Sequence, residues 1–306
     1  MSEIYDLVIV GGGPAGLTAA IYAQRARLKT IVLEQNYMCG GQVINTYEVD
    51  NYPGLPGING FDLSEKFKKH ADQLEAKFAE VEVSGVTIGG NVKIVHTSEG
   101  DYKTKALLIA SGCHHKKLGI DGEEELAGMG VSYCATCDGA FFRERTTAVV
   151  GGGDVAVEDA IFLARLCKKV YLIHRRDELR AAKSLQEKLK ELPNVEIVWD
   201  SVVKQIDGKD SVESIQIQNV KTKEDKRLGV DGIFIAVGIE PEIKAFAGLV
   251  AQDESGYLIA GEDGKTSVDG IFVAGDVRTK PLRQIVTATS DGANAVASIE
   301  RYLMNW

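Results

Sequence analysis

The chain repeats one of its own segments, and that repeat constrains its fold more than any other feature. Aligned so that Val8 meets Ala148, VIVGGGPAGLTAAIYAQRARLKTIVLEQN (8–36) lies without a gap over AVVGGGDVAVEDAIFLARLCKKVYLIHRR (148–176). Gly11, Gly12 and Gly13 fall on Gly151, Gly152 and Gly153. Ala20, Ile21, Arg25 and Lys29 fall on identical residue types at 160, 161, 165 and 169. Each copy reads as an apolar strand, a glycine turn, an amphipathic helix and a second apolar strand. That is a βαβ unit of about 30 residues, for which a right-handed crossover is expected.

A second signature follows each copy. ALLIASG (106–112) and GIFIAVG (232–238) are apolar strands ending in Ala-x-Gly, and VDGIFVAGDV (268–277) resembles VDGIF at 230–234. The fold class expected is therefore α/β, with two Rossmann-like nucleotide-binding domains, the second inserted into the first. The outer domain is expected over 1–115 and 245–306, the inner over 116–244. Crossings are placed near His114-His115-Lys116-Lys117 and Gly238-Ile239-Glu240-Pro241, where polar residues and a proline interrupt the strand pattern.

The glycine turns carry chemistry. Gly11 permits a tight turn, Gly13 lets the backbone approach a pyrophosphate, and Gly16 lets helix and strand pack closely. The pyrophosphate then meets the unpaired N–H groups and positive dipole end of the helix. Ala156 stands where the first copy has Gly16, an accepted replacement, and Asp154 opens the inner helix. The residue at the end of the second strand differs between copies. Glu34 suits ribose hydroxyls and would repel a 2′-phosphate. Its counterpart His174 is followed by Arg175, Arg176 and, one helical turn on, Arg180, a guanidinium cluster suited to a 2′-phosphate. The first site is expected to take an adenosine without a 2′-phosphate and the second NADP; the plain alternative makes HRRDELR a solvated helix start.

Of 306 residues, 44% are hydrophobic and 26% charged, a globular composition. The net charge of −9 argues against a general nucleic-acid binder. No run approaches the roughly 18 apolar residues of a membrane span, and MSEIYDLVIVGGG lacks the basic start of a signal peptide. The cytoplasm is the expected location.

Five cysteines do not make a disulfide scaffold in a chain of this size. Cys134 and Cys137, in CATCD, have the spacing of a redox disulfide or of half a zinc site. A zinc site needs two further ligands, and Cys39, Cys113, Cys167, His114 and His115 offer no matching motif. No metal is therefore expected, and a dithiol that accepts electrons from a nucleotide cofactor fits better. Asp138 reads either as a proton donor and acceptor for the dithiol or as a turn-capping carboxylate. Cys167 is expected inside the inner helix as a core residue; His70 and His96 carry no motif.

Together, GGGPAG (11–16), GGQ (40–42), VDNYPG (49–54), CATCDG (134–139), GGGDVAVEDA (151–160), HRRDELRA (174–181), AGDV (274–277) and RQIVTATSDG (283–292) resemble the low-molecular-weight thioredoxin reductases of bacteria over essentially the whole chain. The resemblance implies an FAD domain interrupted by an NADPH domain that carries the redox disulfide, and a homodimer. It implies FAD contacts from Gly11, Gly13, Pro14, Ala15, Gly16, Glu34, Gln35, Gly40, Gly41, Gln42, Asn51, Ala110, Gly112, Gly275, Asp276, Arg283, Gln284 and Ile285. NADPH contacts would come from Gly151, Gly152, Gly153, Asp154, His174, Arg175, Arg176, Arg180 and Gly238. In this family the residue matching Cys137 lies next to the flavin and that matching Cys134 attacks the disulfide of thioredoxin. The match to Asp138 is the acid–base group, and the NADPH domain rotates between two orientations. Val155, where Ser or Thr is common, and Asp159, where Glu is frequent, depart from the pattern.

The rival readings are a flavin reductase with another protein partner or a ferredoxin donor, and a redox sensor without turnover. Ferredoxin-linked relatives typically lack the inner glycine and arginine motifs kept here. The partner of a peroxidase would usually carry an extra N-terminal disulfide module.

Overall fold

The first copy of the repeat is built as β1 (Ile4–Val10), α1 (Pro14–Arg25) and β2 (Thr30–Glu34) in a computed structural model that describes residues 3–46, 49 and 51–306. After it come α2 (Gly60–Gln73), β3 (Lys77–Glu80), β4 (Val83–Gly89), β5 (Val92–Thr97) and β6 (Gly100–Ile109). The chain then crosses on β7 (Cys113–His115) into a second unit. There it forms β8 (Val131–Ser132), the single turn α3 (Ala135–Asp138) and the second copy: β9 (Thr146–Gly151), α4 (Asp154–Ala164) and β10 (Lys169–Ile173). Next are α5 (Lys183–Lys190), β11 (Val195–Val198), β12 (Ser201–Gly208), β13 (Val212–Asn219), β14 (Asp225–Gly229) and β15 (Gly232–Ala236). The return runs along β16 (Ile239–Pro241), which pairs with β7, and ends with β17 (Ile271–Val273) and α6 (Ile285–Leu303). The outer unit runs to His114 and resumes over Glu240–Trp306, and the inner one is His115–Ile239.

The outer sheet has the order β3-β2-β1-β6-β5-β4, with β17 beside β6. Its β1, β2, β3, β6 and β17 pairings are parallel, whereas β4, β5 and β6 form an antiparallel meander. The inner sheet, β11-β10-β9-β15-β8, is wholly parallel. In both units the signature strand lies next to the first strand of the repeat, Val10 opposite Ile109 and Val150 opposite Ile235. The fold is thus α/β, two Rossmann-like units with one inserted in the other.

Uninterrupted apolar strands arise because both faces of each parallel sheet are covered. Leu7 and Ile9 pack with Ala19 and Ala23 of α1 and with Val296 and Ile299 of α6. Val8 and Val10 pack on the opposite side with Leu107, Ile109 and Leu258. Leu7, Val8 and Ile9 have no exposed surface, and burial of each contributes roughly 1.5–3 kcal/mol. Gly292 brings α6 close to α1, because a side chain there would strike the Ala15 carbonyl. Among the described residues, no helix is long and apolar enough to cross a membrane.

Two local expectations change. Cys167 is a buried core residue, but it lies beyond the end of α4. Asn194 Nδ2 donates to the Ala164 and Cys167 carbonyls at 2.8 and 3.0 Å, satisfying the helix end from outside. The arginine segment is not a helix start either. It stays irregular until α5, because Gly152 O takes the amides of Arg180 at 2.7 Å and Ala181 at 3.2 Å.

Candidate active site

In the outer unit the predicted residues converge at the C-terminal ends of β1, β2, β6 and β17. Gly11 turns with φ 106°, and a side chain there would strike the Ala110 carbonyl. Gly13 caps α1 with no side-chain hydrogen bond, Pro14 occupies the first turn, and that turn holds no acidic residue. The α1 amides are therefore left to an incoming anion. Glu34, buried at the end of β2, accepts from Gly12 N at 2.7 Å and from Asn36 N and Nδ2 at 2.9 Å. Gly40 N donates to Gly12 O at 2.8 Å, which brings Gly41 within van der Waals reach of the Gly13 Cα. Gln42 Nε2 donates to the Cys113 carbonyl. Asn51 Nδ2 donates to Gln284 Oε1 at 2.9 Å, just before Ile285 begins α6. Arg283 donates to the Asp276 carbonyl at 3.2 Å and stacks on Tyr257. Gln35, Gly41, Gln42 and Asn51 are exposed, Ala110 and Gly275 buried. Asp50 of the VDNYPG motif lies outside the described residues.

These residues fit a dinucleotide with a hydroxylated arm. No described atom lies within 4 Å of where a Gly13 or Gly112 side chain would sit, so the backbone is open to approach. Among the described residues Asp276 Oδ1 is buried without a hydrogen-bond partner, an arrangement suited to a donor from a bound ligand. Burial pushes the Asp276 carboxyl up, while Lys280 and Arg283 pull against it. Sequence reasoning missed the support beneath this loop: Asp291 on α6 accepts from the Gly275 amide at 2.9 Å and binds Arg278 and Lys280. Two free thiols border the site. Burial, then Glu34, pushes Cys39 up to about 11; burial, then Asp276, pushes Cys113 up to about 12.

In the inner unit Gly153 caps α4 without a side-chain hydrogen bond, as Gly13 does for α1, and it too faces open space. Asp154 does not cap the helix; its Oδ1 accepts from Ala182 N at 2.7 Å, tying the arginine segment to the glycine turn. His174 is buried, its ring lying where a Gly152 side chain would be and its Nε2 2.9 Å from Glu178 O. Burial pushes its pKa down, against hydrogen bonds to the backbone of Glu178 and Gly151. Arg175, Arg176 and Arg180 are exposed, and no guanidinium among them hydrogen-bonds to another described residue. Gly238 has φ 122° beside Lys116. Burial, then Glu158, pushes Asp159 on α4 up to about 7.

The same unit carries the cysteine pair. Cys134 and Cys137 form a disulfide with Cα atoms 5.3 Å apart, across the turn α3. Both are half-buried, and the exposed Thr136 places its Oγ1 3.4 Å from Cys134 Sγ. Burial pushes the Asp138 carboxyl up, and a hydrogen bond from Ser132 opposes this. A cleavable S–S bond beside a carboxyl whose hold on a proton is strengthened by burial can exchange with another disulfide and move a proton.

Residues 5–292 match the family described as pyridine nucleotide-disulphide oxidoreductase. A thioredoxin reductase of Listeria innocua is 47% identical over 98% of this chain and 94% of its own length. One from Bacillus subtilis is 44% identical over 99% and 96%. The crystal structure of thioredoxin reductase from Streptococcus pyogenes superposes with a TM-score of 0.94, at 43% identity and 99% coverage of both chains. With its paired glycine turns and its Cys134–Cys137 disulfide, the chain belongs to the pyridine nucleotide-disulphide oxidoreductase family.

Proposed function

We propose that this chain is a thioredoxin-disulfide reductase that passes electrons from NADPH, by way of FAD, to its own Cys134–Cys137 disulfide and then to the disulfide of thioredoxin. The observation that carries this reading is the disulfide itself, formed on the unit whose glycine turn is flanked by three unengaged arginines.

The outer unit (expected over 1–115 and 245–306) is read as the FAD domain, and the inner one (116–244) as the NADPH domain. Gly11, Gly13, Gly41 and the α1 amides would hold the FAD pyrophosphate, Glu34 would border its ribose, and Asp276 would accept from its ribityl arm. Gly151 and Gly153 would hold the NADPH pyrophosphate, with Arg175, Arg176 and Arg180 on the 2′-phosphate. The bound flavin supplies a two-electron relay from nicotinamide to disulfide.

The chain's own chemistry then follows in balanced steps. The Cys134–Cys137 S–S bond takes up two electrons and one proton and breaks, leaving a Cys134 thiolate and a Cys137 thiol whose proton passes to the second departing thioredoxin sulfur. Cys134, as a thiolate, attacks the thioredoxin disulfide, forming a mixed disulfide and expelling one thioredoxin sulfur, which takes a proton from Asp138. Cys137 attacks Cys134 Sγ, restores the internal disulfide and releases the second thioredoxin thiol. We take the working form to be a homodimer in the cytoplasm, where the free thiols of Cys39, Cys113 and Cys167 would stay reduced.

The test is NADPH-driven reduction of thioredoxin by the purified flavoprotein and by Cys134→Ser. Wild type turns over, while Cys134→Ser still oxidises NADPH with an artificial acceptor but reduces no thioredoxin. Thioredoxin turnover retained in Cys134→Ser, or a protein that binds no flavin, refutes the reading.

A further inference from the structure

Ser132 ends β8 and is buried, with 6% of its surface exposed. Its Oγ donates to Asp138 Oδ2 at 2.6 Å and accepts from Cys134 N at 3.1 Å. A hydroxyl has one proton to give. The Cys134 carbonyl, at 3.4 Å, is the longer of its two acceptor contacts, so the carboxylate takes it. Among the described residues no other group donates to the Asp138 side chain, and Asp138 Oδ1 is buried without a partner. One oxygen therefore joins the backbone of the first cysteine to the carboxylate that follows the second.

We infer that Ser132 is a positioning residue for thiol–disulfide exchange: its hydroxyl aims the Asp138 carboxylate and stabilises its ionised form, while fixing the backbone at Cys134. The inference rests on the proposed proton transfer by Asp138. Donation to the charged form lowers a carboxyl pKa and burial raises it; at Asp138 burial is the larger influence and Ser132 the opposing one. The elements most closely packed on α3 are α4 and the 3₁₀ turn Gly139–Phe142, and β8 reaches it through Ser132. On α4 the acidic groups are Asp154, Glu158 and Asp159; the 3₁₀ turn has none and ends at Arg143. Among the described residues Ser132 is the polar group that opposes the effect of burial on Asp138, and it does so through the 2.6 Å hydrogen bond.

The experiment follows the pH midpoint of Asp138 in oxidised holoenzyme by its ¹³C carboxyl signal, assigned by its loss in Asp138→Asn. The pH dependence of single-turnover thioredoxin reduction by prereduced enzyme is followed in parallel. Ser132→Ala should raise both midpoints by about one to two pH units, the span expected for losing one hydrogen bond to a charged group. Ser132→Thr, which keeps the donor, should restore them. If Ser132→Ala does not fold, Ser132→Cys, close in size and a weaker donor, is expected to shift them in the same direction. Unchanged midpoints in the variant that lacks the hydroxyl overturn the inference. A pH limb that survives in Asp138→Asn overturns the proton-transfer reading itself, and the two failures are distinguishable because the carboxyl signal reports Ser132 independently of turnover.

Discussion

Arg278 and Asp291 meet twice inside the outer unit, Nε on Oδ2 at 2.8 Å and a terminal nitrogen on Oδ1 at 2.7 Å, each side chain 4% exposed. Lys280 adds a contact to Oδ2 at 2.8 Å. Asp291→Asn keeps the volume but leaves two buried cations opposite a neutral amide, with the exposed Glu262 beside Arg278 and Asp276 near Lys280 as counter-charges. A loss of roughly 3–5 kcal/mol is expected, read as a lowered denaturation midpoint. Burial by itself would raise the Asp291 pKa, but hydrogen bonds from Arg278 and Lys280 outweigh it and the folded value ends below the ordinary one. The resulting stability is complete above the unfolded value of about 4 and is lost as pH falls through the folded value. Wild type should thus lose this contribution below about pH 4, whereas Asp291→Asn should have none to lose. Equal acid sensitivity in the two proteins would contradict this account.

Gly152 and His174 make the next prediction. A methyl group on Gly152 would run into the imidazole, and overpacking of that kind costs about 1–3 kcal/mol. The turn and the arginine segment are joined there, so Gly152→Ala should weaken NADPH binding by roughly five- to a hundredfold without changing flavin content. His174→Ala in the same protein reopens the space and should recover part of the affinity. Titration calorimetry on the flavin-loaded protein checks both; flavin loss in Gly152→Ala would place the damage elsewhere.

Much of this architecture could be read directly from the chain. Strands covered on both faces must be apolar at every position, and a phosphate turn must place glycines at fixed offsets, so both copies of the repeat stand out. The exposed arginines were legible for the same reason: their distance from the glycine turn is set by one helix and one strand. Ser132 and Asp291 were not. Neither sits in a periodic pattern, and each matters only because folding brings it to a residue 6 or 16 positions away. The burial of His174 is likewise invisible in the sequence, since the slot that holds its ring exists only where the Gly152 backbone passes. At Cys167 the apolar periodicity runs on past the point where Asn194 ends the helix, so the sequence carries no sign of that boundary.

Asp276 supports a prediction about flavin retention. Its buried Oδ1 lacks a partner among the described residues, so a bound hydroxyl would complete it with a hydrogen bond to a charged group, worth roughly 1.5–3 kcal/mol. Asp276→Ala should weaken FAD binding by one to two powers of ten, measured as flavin fluorescence released on dilution. Arg175→Ala with Arg176→Ala should leave that release unchanged and weaken NADPH far more than NADH. Equal losses for the two nicotinamides would defeat the 2′-phosphate assignment.

Thiol reactivity separates the redox pair from its neighbours. With pKa values pushed up to about 11 and about 12, Cys39 and Cys113 at pH 8 are thiolates only to about one part in a thousand and one in ten thousand. Cys134 and Cys137 cannot react while they are joined. Oxidised protein should therefore take up iodoacetamide very slowly at every position. Addition of NADPH without thioredoxin should open the disulfide and direct alkylation to the pair, with Cys39 and Cys113 still unlabelled in peptide mass maps. Omitting NADPH, or supplying it to the Arg175→Ala, Arg176→Ala protein at a concentration that saturates only the wild type, should suppress the labelling, because the proposed arginine contacts hold the electron donor on the protein. Rapid labelling of Cys39 or Cys113 before the pair would mean that their surroundings do not hold them as thiols. Labelling of the pair without any reductant would mean that the disulfide is not the resting state.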